Sequence, residues 1–344
     1  GNILLQAQGT GSDIQLFSEV IAGNGHITIS ATDTVEISDV ANVSATGTIL
    51  ITATTGGVSI AEDLTLQTNG SNIRIDSELD VSFGLLDART ASDRAAQVIA
   101  QQGLWGSVSI TSNNGAIVDA ADDNSSVIDN SVLLGDIDIY ASALKLNAGA
   151  FIGALVPEVV NAIEIEAAVL SANARGLFDR DDINLVEATD LTLTSIGIID
   201  VQEVIADGSV IVHSDLAQSD VTTSQNGAIV IRSLGGDLIL ADGDTNNLVI
   251  SANGTGNLFL DANGLIEVQA DISSGTGNIR LRAGTSVTQF SGADITTDTG
   301  SLEVEALLGA IVMSDQAFTS TGPGIGNIRY RAATDVTIGG IDSG

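Results

Sequence analysis

The segment Gly277-Asn278-Ile279-Arg280-Leu281-Arg282-Ala283 returns almost unchanged as Gly326-Asn327-Ile328-Arg329-Tyr330-Arg331-Ala332. A looser copy, Gly300-Ser301-Leu302-Glu303-Val304-Glu305-Ala306, lies between them. Each copy is a turn glycine, a polar residue and then a strict alternation of apolar and polar side chains, the pattern of a short strand with one buried face. Taking the first apolar residue as a marker, Leu238, Leu258, Ile279, Leu302 and Ile328 are spaced 20, 21, 23 and 26 residues apart. Ile27, Ile49 and Ile73 are spaced 22 and 24, and Val210, Ile229 and Leu248 are spaced 19 and 19. A drifting period with a constant anchor is the signature of a solenoid whose turns vary in length.

Each period holds three short strands. Between Gly277 and Gly300 they are Ile279 to Ala283, Ser286 to Gln289 and Ala293 to Thr297; between Gly25 and Gly47 they are Ile27 to Ala31, Thr34 to Ile37 and Asn42 to Thr46. Three strands separated by Gly, Asn, Asp and Thr turns make one coil. Equivalent strands of successive coils then lie parallel and in register, ~4.8 Å apart. The expected fold is all-β, a right-handed parallel β-helix, its hand following from that of parallel crossovers. Roughly 14 to 16 coils would make a rod of ~70 Å.

Composition agrees with a narrow, regular core. Hydrophobic residues make up 44% of the chain but aromatic residues only 3%, so Ile, Leu, Val and Ala must fill the interior. Thirty-eight glycines against two prolines provide frequent tight turns. With 44 acidic residues against 11 basic ones, the formal net charge is -33. Such a surface repels nucleic acid and anionic lipid, which excludes both as partners. There is no cysteine, so disulfide and thiolate chemistry are excluded. No apolar run reaches the ~18 residues of a membrane helix, so no membrane insertion is expected.

Charge order along the first strand predicts how coils stack. Ile279, Leu281 and Ala283 point inward, which turns Arg280 and Arg282 outward; Glu303 and Glu305 follow one coil later, then Arg329 and Arg331, with Asp261 preceding Arg282. Opposite charges would alternate up two columns, each neighbouring pair contributing ~0.2–1 kcal/mol. Asparagine also recurs just before the first inward residue, at Asn2, Asn72, Asn247, Asn257, Asn278 and Asn327. A corner column of this kind can hydrogen-bond from coil to coil as ladders do in other in-register stacks; Asn also simply tolerates turn geometry.

The expected organisation is a single continuous solenoid over residues 1–344 with two departures. Residues 85–104 place Ala88, Ala91, Ala95, Val98 and Ile99 at helical spacing among polar residues, which predicts a helical insertion. Residues 120–130, rich in Asp, Ser and Asn, predict an extended loop. The chain opens inside an anchor, Gly1 to Ala7, and closes where another would begin, so continuation at both ends is expected, end to end with another copy or within a longer chain.

Signals for chemistry are sparse. There is no Gly-x-Ser-x-Gly elbow. His213, Ser214 and Asp215 are adjacent, but neighbouring strand residues point to opposite faces, so they do not form a triad among themselves. Asp242, Asp244 and Asn246 have the alternating oxygens of a calcium loop but lack the glycine and terminal glutamate at the required offsets. Ordinary acidic turns are the better reading there, with loosely bound Ca²⁺ as the only cofactor expectation. A polysaccharide lyase or hydrolase would need Asp179, Arg180, Asp181 and Asp182 to gather with Arg175 in a groove.

The recurring Gly-Asn/Ser-Ile-x-Leu-x-Ala strand spans nearly the whole chain. It is joined by residues 150–160, by Val169-Leu170-Ser171-Ala172-Asn173-Ala174 and by Ile183-Asn184-Leu185-Val186-Glu187-Ala188. In these features the chain resembles the filamentous-haemagglutinin-like bacterial surface adhesins. The resemblance implies a secreted β-helical shaft exposed at the cell surface. The expected function is therefore structural and non-enzymatic, a filament, sheath or adhesin stalk whose partner is itself, with a host surface or polysaccharide as a further partner. A carbohydrate-binding or polysaccharide-degrading β-helix is the alternative.

Overall fold

A computed structural model describes residues 1–98, 100, 104–120, 137–156, 159–176, 181–323 and 326–344. The chain is an all-β parallel β-solenoid of about 13 coils, with one short helix among the described residues. Its contacts divide it into two compact units, residues 1–168 with 197–218, and residues 169–196 with 219–344.

In the first unit the leading strand of each coil forms one parallel column. Ile3–Ala7, Ile27–Ala31, Ile49–Ala53, Ile73–Ser77 and Val108–Ser112 follow one another, then the C-terminal half of Ile139–Ala148. A second column runs through Ile14–Leu16, Val35–Ile37, Val58–Ile60, Val81–Phe83 and Ile117–Asp119. The third runs from Val20–Ala22 through Val43–Ala45, Thr65–Gln67 and Leu85–Asp87 to the start of Ile139–Ala148. The second unit repeats this plan. Its leading column is Ile183–Glu187, Ile229–Ser233, Leu258–Ala262, Ile279–Ala283, Leu302–Ala306 and Ile328–Ala332.

The strands expected in the coils beginning at Ile27 and Ile279 match the observed ones to within one residue at each end. Three strand markers are corrected. Leu238 belongs to the second column of its unit, between Leu191–Leu193 and Ile266–Val268. Leu248 lies in the third column, between Val221–Thr223 and Asp271–Ser274. Val210 is in no column, because Ile199–Val204 and Val210–Asp215 form an antiparallel hairpin. Apolar alternation marks a strand but not which side of the coil it occupies, and the hairpin removes residues that a uniform period would count as a coil.

Residues 85–104 also differ from expectation. Leu85–Asp87 is a strand of the third column, and the helix is confined to Ala91–Ala95, with Thr90 as its N-cap and no buried residue. With so short a helix, the apolar spacing could not produce a buried face. The outer turn is instead fastened by polar side chains. Arg89 grips the Asp87 carboxylate through Nε at 3.0 Å and donates from Nη1 to the Val98 carbonyl at 2.9 Å. Its guanidinium stacks 3.5 Å from the Tyr140 ring, and Trp105 Nε1 donates to Asp93. Of the expected loop at 120–130, residues 121–130 lie outside the described residues.

Inward positions of successive coils superpose identical or similar aliphatic residues. Ile27, Ile49 and Ile73 are fully buried one above another, as are Ile29, Ile51 and Ile75. Stacking like on like keeps every layer the same width, which is why so few aromatics are used and why the chosen residues are branched aliphatics suited to strands. At the corner before the leading strand, glycines are stacked too. A Cβ on Gly277 would lie 1.8 Å from the Gly256 carbonyl oxygen, and one on Gly300 would lie 1.9 Å from that of Gly277. The repeat glycine is thus required by close approach of one coil's backbone to the next.

Replacing Gly277 by Ala is expected to lower stability by about 2 kcal/mol or more, because rigid backbone is the obstacle. Gly23→Ala, where the added methyl meets open space, should stay within about 0.5 kcal/mol. Thermal denaturation of the two variants checks both.

Candidate functional site

Most of the corner asparagines bond to the next coil through their side-chain oxygens, whereas Asn247 donates from Nδ2 to Asp271 and to the Gly292 carbonyl. In the second unit Asn257 Oδ1 accepts from the Asn278 backbone N–H at 2.8 Å, and Asn278 Oδ1 accepts from that of Ser301 at 2.8 Å. Asn327 N–H in turn donates to Ser301 Oγ at 3.3 Å. In the first unit Asn2 and Asn72 do the same for His26 and Ser107. Aspartates play this part at several other corners. Asp190 serves Asp237, Asp237 serves Leu265, Asp271 serves Asp294, and Asp294 serves Phe318. Each acceptor stands just before a strand or at its first residue, and accepts from a backbone N–H at the corresponding corner of the next coil.

One link uses histidine. His26 Nδ1 accepts from the Thr48 N–H at 3.0 Å, which requires an unprotonated Nδ1. Burial holds the His26 imidazole below its usual pKa. A base with a lowered folded pKa contributes stability that is complete above the unfolded value of about 6.5 and is lost as pH falls towards the folded value.

The charged ladder of the second unit is assembled as two interleaved columns. Arg282 Nη1 lies 3.2 Å from Asp261 Oδ2, and Arg280 Nε lies 3.2 Å from Glu303 Oε2. Arg280 Nη2 also reaches Glu305 at 3.3 Å, Arg329 meets Glu303 at 2.7 Å, and Arg331 meets Glu305 at 2.5 Å. Register puts Arg280 beside Glu303 and Arg282 beside Glu305, while the side chains also cross between columns. Glu305 is nearly buried among these cations, whereas Arg329 and Arg331 remain more than half exposed.

The first unit treats the same outward position differently. Thr28, Leu50, Arg74, Ser109 and Lys145 succeed one another in register, and all are buried. The hairpin of residues 199–215 covers them. Val204 N–H donates to Thr28 Oγ1 and Gln202 N–H to Thr48 Oγ1, both at 2.8 Å; Asn72 Nδ2 donates to the Asp200 carbonyl at 2.8 Å and Asn2 Nδ2 to that of Gly208 at 3.0 Å. The hairpin therefore crosses successive coils rather than joining one. On its return strand His213 Nδ1 lies 3.2 Å from Glu203, Ser214 Oγ donates to Asp200 at 2.6 Å, and Asp215 meets both Ser109 and Lys145. The three sequence neighbours thus reach three separate groups of partners.

The strongest perturbation of acidity in the described residues escaped sequence reasoning. Asp119, Asp138 and Glu164 bring carboxylate oxygens within 4.8 Å of one another. Burial first, then the Asp119 and Glu164 charges, push the Asp138 carboxyl well above the usual range. Far apart in sequence, they meet only because the coils superpose them. Asp242, Asp244 and Asn246 form successive Asx turns: Asp242 Oδ1 accepts from Asp244 N–H at 3.0 Å and Asp244 Oδ1 from Asn246 N–H at 2.8 Å. The Asp244 carboxyl, held low chiefly by the Ser219 hydroxyl, is thereby engaged by its own chain. Asp181 accepts from Gln225 N–H and Asp182 from Ala228 N–H at 2.8 Å, while Asp179 and Arg180 lie outside the described residues. An open groove lined by Glu19, Ile21, Asn42, Ser44, Thr65 and Gln67 has its Asn42 oxygen and Gln67 amide engaged by neighbouring coils.

No family model, no curated protein and no solved structure matches the chain.

Two outcomes follow for the ladders. Exchanging both Arg280 and Arg282 for Glu should lower stability by about 1–3 kcal/mol at low salt, and less at high salt, since exposed pairs are screened; melting at two ionic strengths measures it. His26→Asn, which restores the acceptor used elsewhere in the column, should reduce the loss of thermal stability between about pH 7 and pH 5 relative to the parent chain.

Proposed function

We propose that this chain is a shaft segment of an extracellular surface fibre or adhesin stalk, built by continued stacking of coils. The observation that carries this reading is the parallel, in-register stacking of successive coils, in which leading strands such as Ile27–Ala31 and Ile279–Ala283 pair residue for residue with those of the coils before and after. Such a stack grows by adding like coils, each satisfying the strand edge of the last. The corner acceptors and charge columns support the same reading, because both are interactions between coils and gain nothing within one.

The resemblance to surface adhesins supports an extracellular setting, and the strong negative charge favours solubility there. No helix of the described residues is long and apolar enough to cross a membrane. Purified protein, imaged by negative-stain electron microscopy over a concentration series, is expected to form linear end-to-end assemblies whose lengths are multiples of one subunit. Uniform single particles at every concentration would overturn self-stacking.

A further inference from the structure

Lys145 is the only lysine in the sequence, and its side chain is 3% exposed. It points outward from the leading strand, into the space closed by the returning hairpin. There its Nζ contacts the Asp215 carboxylate oxygen Oδ2 and donates to the Leu216 carbonyl. Ser109, directly beside Lys145 in the adjacent coil and fully buried, donates its hydroxyl to that same Asp215 oxygen. Amine, carboxyl and hydroxyl donor are thus gathered around one carbon atom at the point where the hairpin rejoins the coils.

We propose that Lys145 and Asp215 condense into an intramolecular amide that fixes the hairpin covalently to the solenoid. The Nζ–Cγ bond forms and one Cγ–O bond of Asp215 breaks. Starting from the ammonium and the carboxylate, two protons leave Nζ with the departing oxygen as one water, and the remaining N–H is placed to keep donating to the Leu216 carbonyl. No oxidant or external reactant is needed. The Ser109 hydroxyl faces the oxygen that becomes negative when nitrogen adds to Cγ, the position of an oxyanion donor. Proximity converts an unfavourable reaction between separate groups into one held at contact, and exclusion of water by the hairpin opposes the reverse hydrolysis.

Other charged groups surround the pair. Asp76 interacts electrostatically with Asp215, and its carboxyl is held above the usual range by burial, an effect that Arg74 opposes and the Asp215 charge reinforces. Arg74 contacts Asp76 at 2.8 Å and His213 Nε2 lies 3.8 Å from it, completing the charged surroundings. The bond would close a loop of 70 residues, between positions 145 and 215, in a chain with no cysteine to do so. Such closure restricts the unfolded chain as a disulfide does.

Intact-mass spectrometry of the purified chain, denatured to separate non-covalent contacts, tests this directly. The expected mass is lower than that of the sequence by one water. Trypsin, which then fails to cut at Lys145, should release a branched species joining residues 95–175 to residues 181–232. Lys145→Arg and Asp215→Ala should both have their full sequence masses, and Asp215→Asn should lose one ammonia instead of one water. Ser109→Ala should slow conversion after refolding while leaving the site of the link unchanged. A parent chain of full sequence mass, cleaved normally after Lys145, would overturn the proposal and leave a buried ion pair. This outcome is independent of whether the chain stacks into fibres.

Discussion

The hydrogen bond from a corner Asn or Asp oxygen to the backbone N–H one coil later governs much of this structure. Strand residues in a parallel stack satisfy one another automatically, but the corner residue just before a strand or at its start does not. Leaving that N–H unpaired beside the core would cost about 1–3 kcal/mol at each such corner. Side-chain oxygens at Asn257, Asn278, Asp237 and Asp271 solve the problem in the same way at different corners. The bond also sets spacing, because it closes only when adjacent coils are in register. The glycine before it follows from that spacing, since the two backbones come too close for a Cβ.

With the corners fixed, each unit uses its outward leading-strand position for a different purpose. In the last three coils of the second unit that position carries Arg280, Glu303 and Arg329 in alternation, so mispairing by one coil would oppose like charges. In the first unit it carries Thr28, Leu50, Ser109 and Lys145, and a hairpin lies over them. One arrangement specifies neighbours by electrostatics in water, and the other by burial and hydrogen bonds to a segment that spans several coils. The second is less sensitive to salt, since buried groups are poorly screened. It also places the single lysine where it is desolvated and held against a carboxylate.

The strands, their three-per-coil repetition and their buried face were legible because alternation and turn residues are local signals, whereas the side of the coil on which Leu238 and Leu248 lie was not. Charge columns were legible too, as they recur at one position of a visible repeat. The hairpin was not. Val210 to Asp215 alternates like a coil strand, and nothing local says that it pairs antiparallel with Ile199–Val204. One trace of its cover was present: Lys145 stands alone as the single lysine of an acidic chain. Its meaning needs a partner more than 60 residues away.

The sequence by itself determined a stack of three-stranded coils with an aliphatic interior, glycine at close corners and oxygen acceptors beside them. These follow from periods of two residues along a strand and about twenty along the chain. Only the tertiary structure decided that Asp119, Asp138 and Glu164 share one locality, that the outer turn at Ala91–Ala95 is tied to Tyr140 through Arg89, and that Lys145 faces Asp215. The physical reason is that stacking superposes residues whose separation in sequence depends on every intervening insertion. A repeat therefore announces which side chains point inward, while the lengths of its irregular turns decide which outward side chains meet.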